Sequence, residues 1–270
     1  MNIVQICNPS AMKHAMHAHK GEKTITYSMR TMRTLLRLAV AIMLCATATS
    51  YGITLEEILA KALEARGGKD AWANVQTIRL TATTTIHQAG IETDMTVTMK
   101  RPNRYMSETN VAGSKMLQGY DGQRAWFTNP MTGAAEVMPD AQAAMLRDQA
   151  DLEGPLVNWA AKGNAVTLVG TVDVDGVKAY KITVKDKTGS TKTLYIDAVT
   201  FFEFKMETES DAMGKSVLVE IYRSEFKKVN GVLIPFRVET RMMGMAMSTT
   251  EITDAAINVP VDDAVFAMPK

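Results

Sequence analysis

Few residues of this chain could do chemistry, and their spacing argues against it. Three of the four histidines (His14, His17, His19) lie in the first fifty residues, and only His87 remains beyond them. A Ser-His-Asp triad or a His-rich metal site would have to be built around His87. Alternation puts that residue on the polar side of a predicted strand over 77–87. Both cysteines, Cys7 and Cys45, precede residue 52, so the body can form neither a disulfide nor a reactive thiol. The acids Glu203, Glu207 and Glu209 share the solvated face of a strand, opposite Phe202, Phe204 and Met206. Asp173 and Asp175 flank a turn. Gly-x-Ser-x-Gly, His-Glu-x-x-His and a Gly-rich phosphate loop are absent. We expect no catalytic residue, no metal and no cofactor.

What remains is apolar and adaptable. Beyond residue 51 there are fourteen methionines (95, 99, 106, 116, 131, 138, 145, 206, 213, 242, 243, 245, 247 and 268). Methionine is flexible and polarizable, and suits binding surfaces that accept variable partners. Copper at Met242-Met-Gly-Met-Ala-Met247 is disfavoured, because no His or Cys assists the thioethers. One charge stands out among these apolar rows. Met95, Val97 and Met99 alternate on one strand face, and Arg101 continues that face. A guanidinium there must find acceptors. The unpaired carbonyls at helix C-termini are candidates.

The elements that must position these residues are mostly strands. Thr54-x-x-Glu57 is a capping box opening a helix whose apolar face holds Leu55, Ile58, Leu59, Ala62 and Leu63. Gly67-Gly68 ends it. Strands follow over 77–87 and 95–101. After a polar link comes a hairpin of two strands, 116–120 and 123–128, turning at Asp121-Gly122. Residues 139–163 are the one sizeable helical interruption, with Asp140 as N-cap and Met145, Leu146, Leu156 and Trp159 on its apolar side. Strands resume over 166–172, 177–184, 192–196, 201–208, 216–226, 232–242 and 245–253. This gives a mainly β (α+β) chain of about eleven or twelve strands, with no βαβ signature, in one antiparallel, strongly curved sheet.

Lys100-Arg101-Pro102-Asn103, followed by Asp121-Gly122, Trp126-Phe127 and Asn129-Pro130, resembles the LolA family of periplasmic lipoprotein carriers. The wider set of outer-membrane lipoprotein-sorting proteins is similar at Gly-Pro-Leu-Val-Asn-Trp (154–159), at Asn230-Gly231…Ile234-Pro235 and at the closing Asn258…Phe266…Pro269. The likeness runs from about residue 53 to 269. It departs from LolA at Tyr105-Met106, where the carriers are more aromatic, and in a longer, different C-terminal half. It implies a half-barrel lidded by helices over an apolar cavity, with Arg101 as the latch between barrel and lid. It also implies lipid or acylated lipoprotein as cargo, an inner-membrane donor complex and an outer-membrane acceptor. The lining expected is Met95, Val97, Met99, Arg101, Met116, Trp126, Met145, Leu146, Leu156, Trp159, Phe202, Phe204, Met206, Ile234, Phe236 and Val238.

The first fifty residues read differently. Met32-Arg-Thr-Leu-Leu-Arg37 is a basic n-region, 38–45 an apolar h-region and Ala46-Thr-Ala48 a small-residue cleavage signal, the anatomy of a secretory signal peptide. Leu44 stands where a lipobox before Cys45 wants a small residue. Residues 1–28 read as a disordered extension, with translation starting at Met29 or Met32. Residues 51–270 form the single mature domain, expected to begin between 47 and 53. Residues 1–51 carry six bases and one acid, leaving 24 bases and 29 − 1 = 28 acids in the body, a net of −4. An acidic body argues against nucleic acid. The expectation is a monomeric periplasmic carrier for transfer toward the outer membrane. The alternative is an envelope lipid sensor on the same fold, serving stress signalling.

Overall fold

The computed structural model describes residues 52–111, 113–212 and 215–269. The predicted signal peptide and the extension before it lie outside the described residues. Ile53–Lys270 is one compact unit. It opens with α1 (Leu55–Ala65), where the Thr54 hydroxyl accepts from Glu57 N and the Glu57 carboxylate accepts from Thr54 N, closing the expected capping box. α1 ends at Arg66, and Gly67 turns the chain at φ 120° into α2 (Gly68–Ala73). No side chain could replace that glycine's hydrogen, because a Cβ would sit 2.3 Å from the Gly231 carbonyl oxygen.

Among the described residues, thirteen strands form one open antiparallel sheet. β1 (Thr77–Ile86), β2 (Ile91–Lys100), β3 (Arg104–Val111), β4 (Ser114–Tyr120), β5 (Ala125–Thr128) and β6 (Ala135–Val137) meander outward to one edge. The chain then crosses by α3 (Asp140–Gln149) and a run of turns to the opposite edge, β7 (Ala165–Val174). It meanders back through β8 (Val177–Lys185), β9 (Thr191–Asp197), β10 (Glu203–Ala212), β11 (Lys215–Val229), β12 (Val232–Met242) and β13 (Met245–Ile257), which pairs with β1. Residues 138–164 therefore link the sheet's two edges.

Register makes one face apolar. Ala125, Tyr120, Tyr105, Met99, Ile78 and Ile257 are successive cross-strand partners over six strands. Leu168, Ile182, Leu194, Met206 and Ile221 do the same on the other arm. Helices α1, α2 and α3 pack on this face, and three buried clusters form there.

Two strands escaped the sequence reading. β3 had been expected as a polar link, because its inward positions after Tyr105 are Ser107 and Thr109, which leave no apolar period. β6 is three residues long, too short to show any period. Pro139, not Asp140, is the N-cap of α3. Asp140 lies in the first turn, where its charge suits the helix dipole. Residues 155–163 are turns rather than helix.

The opposite face is tied down by the C-terminus. Trp126 is 1% exposed and its Nε1 donates to the Phe266 carbonyl at 2.9 Å. Lys100 bonds Val261 O at 2.7 Å and pairs with Asp263 at 2.6 Å, and Arg104 pairs with Asp263 too. Trp126 pairs in register with Gly119, and a Cβ there would meet the indole ring at 2.5 Å. Gly119→Ala must push the indole off the tail and should cost about 1–3 kcal/mol. Urea unfolding checks this, and an unchanged midpoint would mean that Trp126 and the tail shift freely.

Candidate functional site

The helix-covered face is the candidate site. Met95, Val97 and Met99 lie together on it, packed with Ala143, Leu146 and Ala150 of the α3 segment and with Tyr105, Tyr120 and Phe127. Ile234 and Phe236 join Trp72, Val75, Ile78 and Leu152 in a central cluster, with Met99 and Leu80 touching both. Met206 and Leu156 pack with Ile58, Ala62, Ile182, Leu194 and Ile196 in the third. Met116 shares the face, since Met116, Thr109 and Met95 are successive partners, and it is half-buried. Val238 continues the row of Ile234 and Phe236, also half-buried and outside the clusters.

Of the remaining expected lining residues, Trp126, Met145 and Phe202 fall elsewhere. Trp126 is on the opposite face, because its neighbour Ala125 takes the inward position beside Tyr120. Met145 is 59% exposed, since the inward positions of α3 are Ala143 and Leu146. Phe202 precedes β10 and packs on Phe226, with ring centroids 4.9 Å apart. Phe226 pairs with Pro235, out of phase with Ile234 and Phe236, so this contact lies off the helix-covered face. Phe204 sits at a bulge between Glu203 and Lys205, where the period-2 pattern slips. Trp159 is half-buried and outside all three clusters. The apolar side chains of this face pack into three clusters beneath the helices and the crossing segment.

That segment enters the clusters in turn. Leu146 enters the first, Leu152 the second and Leu156 the third. Polar ties hold it between these points. Arg101 Nε donates to Val75 O at 2.7 Å, and its Nη2 donates to Trp72 O at 3.0 Å and to Glu153 Oε1 at 2.9 Å. The carbonyls that Arg101 needed thus come from the end of α2, and the crossing segment contributes a carboxylate. Arg66 Nη1 reaches the Glu153 carbonyl at 2.9 Å. Its guanidinium lies 4.5 Å over the Trp72 ring, whose Nε1 donates back to Arg66 O. Burial depresses the Arg66 pKa, and the Glu203 carboxylate opposes that shift. Lys162 bonds Asp151 and Gly154 O, and Lys192 on β9 pairs with Asp148 at the end of α3, at 2.5 Å.

The sequence reading missed Leu152 and Glu153, which sit among turn residues with no period. The only usable signal was an acid within reach of an arginine that needed acceptors.

Other charged groups serve the opposite face. Lys205, nearly buried, lies between the Tyr195 and Tyr222 rings and pairs with Glu207 and Glu220. Burial alone would lower its pKa, but hydrogen bonds to Glu207, Glu220 and Tyr222 raise it. The Tyr195 phenol is pushed up to about 12, first by burial and then by the Glu207 carboxylate it donates to. A cleft of about 450 Å³ beside them is bordered by Asp173, Asp175 and Lys181. These groups satisfy one another. Among the described residues no cluster of metal-ligating side chains occurs.

No family model and no curated protein matches the chain. Solved structures do match. A LolA superfamily protein from Nitrosomonas europaea superposes with a TM-score of 0.54 at 16% identity, over 80% of this chain and 98% of that one. A DUF1329 family protein from Desulfovibrio piger gives 0.54 at 15%, over 79% and 97%. An outer membrane lipoprotein-sorting protein domain from Vibrio parahaemolyticus gives 0.53 at 10%, over 79% and 97%. The chain has the LolA-like fold.

Glu153→Gln removes the charged acceptor and keeps the shape. A charge-assisted bond at this partly exposed site should contribute about 1.4 kcal/mol, or roughly tenfold in local opening. Amide exchange over 146–156 should quicken by that factor, with β1 and β2 unchanged. Equal rates in the two proteins would show that Glu153 holds nothing.

Proposed function

We propose that this protein is a periplasmic carrier that binds lipid, or the acyl chains of lipoproteins, on the helix-covered face and passes them toward the outer membrane. The observation that carries this reading is the cover itself. An apolar sheet face is closed by a crossing segment that has little regular structure and is pinned by separate leucines and a few polar ties. A permanent core would favour a long amphipathic helix at that position. A cover that has to lift needs many small contacts, each reversible. The half-buried methionines beneath it, Met95, Met99 and Met206, suit acyl chains of variable shape.

The LolA-like fold supports the same reading. So does the leader, whose n-region, h-region and small-residue site fit export by a cleaved signal peptide. No described helix is long and apolar enough to cross a membrane. The donor would be an inner-membrane complex and the acceptor an outer-membrane component, with the carrier acting as a monomer. The arrangement is a binding device rather than an enzyme, with no metal or cofactor in its work.

Native mass spectrometry of protein recovered from the periplasm should find one apolar ligand retained. Val238→Glu places a carboxylate in the half-buried row without touching the packed clusters. It should abolish uptake of a fluorescent fatty acid and leave the circular dichroism unchanged. Full uptake by this variant would place the ligand elsewhere or remove the carrier reading.

A further inference from the structure

We propose that the hairpin tips at residues 86–91 and 242–247 form one rim that seats the protein on the surface of a lipid bilayer. The two tips touch. His87 N donates to Met247 O at 3.0 Å, and His87 Nε2 bonds Thr249 Oγ1 at 2.9 Å. Their sequences, Ile-His-Gln-Ala-Gly-Ile and Met-Met-Gly-Met-Ala-Met, contain no lysine, arginine, aspartate or glutamate, in a chain that is 22% charged. The tips around Asp121, Asp175 and Asp186 each carry a charge. Yet the rim is open to solvent. Met243 is 66% exposed, Met245 54% and Ile91 42%. Side chains of this size are seldom left out in one place without something to meet.

The rim is continuous with the apolar face. Ile86 lies in the same row as Ile78 and Ala82, and pairs with Ile91. Ile91 lies in the row of Met95, Val97 and Met99. Met242 lies in the row of Ile234, Phe236 and Val238, and pairs with Met245. These rows run toward the latch, so the rim is the far end of the candidate binding surface. β2 spans ten residues, which puts the rim about 30 Å from Arg101 at roughly 3.3 Å per residue.

A bilayer fits this surface better than a protein does. The two tips are tight turns, at 87–90 and 243–244. They lack the Trp, Tyr and Arg that anchor protein interfaces, and the charges that would set a partner's register. Thioethers and isoleucines can enter the headgroup boundary with little penalty, and an uncharged rim needs no anionic lipid. The rim's role as the point of cargo exchange rests on the carrier reading, whereas its attachment to membrane does not.

Flotation with vesicles tests the attachment. The chain from residue 53 onward, one compact unit, should float with pure phosphatidylcholine vesicles. It should float equally with vesicles containing phosphatidylglycerol, and salt should not release it. Ile91→Glu with Met245→Glu should weaken flotation about tenfold, while Val199→Glu, at a still more exposed valine elsewhere, should not. Circular dichroism should be retained in both. Failure of the wild type to float, equal flotation of the double variant, or release by salt would overturn the proposal. So would a wild-type dimer that the double variant abolishes, since the rim would then be covered by a second copy. Flotation without fatty-acid uptake would leave the rim standing and remove the carrier.

Discussion

The grip of Arg101 and Arg66 on Glu153 is the constraint on which the rest depends. The sheet presents apolar rows on one face, and something must cover them. Beside α1 and α2, connectivity supplies the chain that crosses from β6 to β7, because both meanders are used up in building the arms. That chain has one helix of three turns and then turn residues. Leu146, Leu152 and Leu156 can each contribute about 1.5–3 kcal/mol by burial, less than an unsupported loop loses in entropy on being ordered. The polar ties add to the leucines' hold. Arg101 anchors the crossing segment to the end of α2, and Arg66 anchors it to the end of α1, so the first helices and the crossing segment close as a unit.

The same arithmetic lets the proposed carrier lift its cover and close it again. Ties of this kind contribute about 1.5–3 kcal/mol each at best, and less where water reaches them, as it does at Arg101 and Glu153. An acyl chain entering beneath the segment gains roughly 25 cal/mol for every Å² of apolar surface removed from water. A few hundred Å² therefore competes with the whole latch, and loss of the chain restores it. A ligand shifts such an equilibrium only through its differential affinity for the open state.

Much of this was legible in the sequence where one period ruled. Met95, Val97 and Met99, and Ile234 with Phe236, alternate without interruption, and the structure puts them on one face. Arg101 was legible because a charge at the end of an apolar row has few options. The reading failed where the period breaks. Phe202 precedes β10 next to a bulge between Glu203 and Lys205, so alternation carried it to the wrong place. Trp126 is large and apolar, but the paired glycine opposite it and the returning tail make room for it on the other face. Met145 lost to its neighbour Leu146, because Ala143, Leu146 and Ala150 share one face at spacings of three and four and Met145 lies off it. β3 hid behind inward Ser107 and Thr109. Leu152 and Glu153 had no pattern at all, because a crossing segment is shaped by the two edges it joins.

The central claim is that the latch drives release by favouring the closed, empty state. Arg101→Leu removes all three donor contacts and adds apolar surface beneath the cover. The direct measurement is the rate at which preloaded protein hands a fluorescent fatty acid to phosphatidylcholine vesicles. The Arg101→Leu protein should fold, hold the fatty acid at least as well as wild type, and release it about tenfold more slowly. Arg101→Lys should fall between, since it keeps the charge and loses the planar fork. Release from Arg101→Leu at the wild-type rate would contradict the account and leave Arg101 as an ordinary structural arginine.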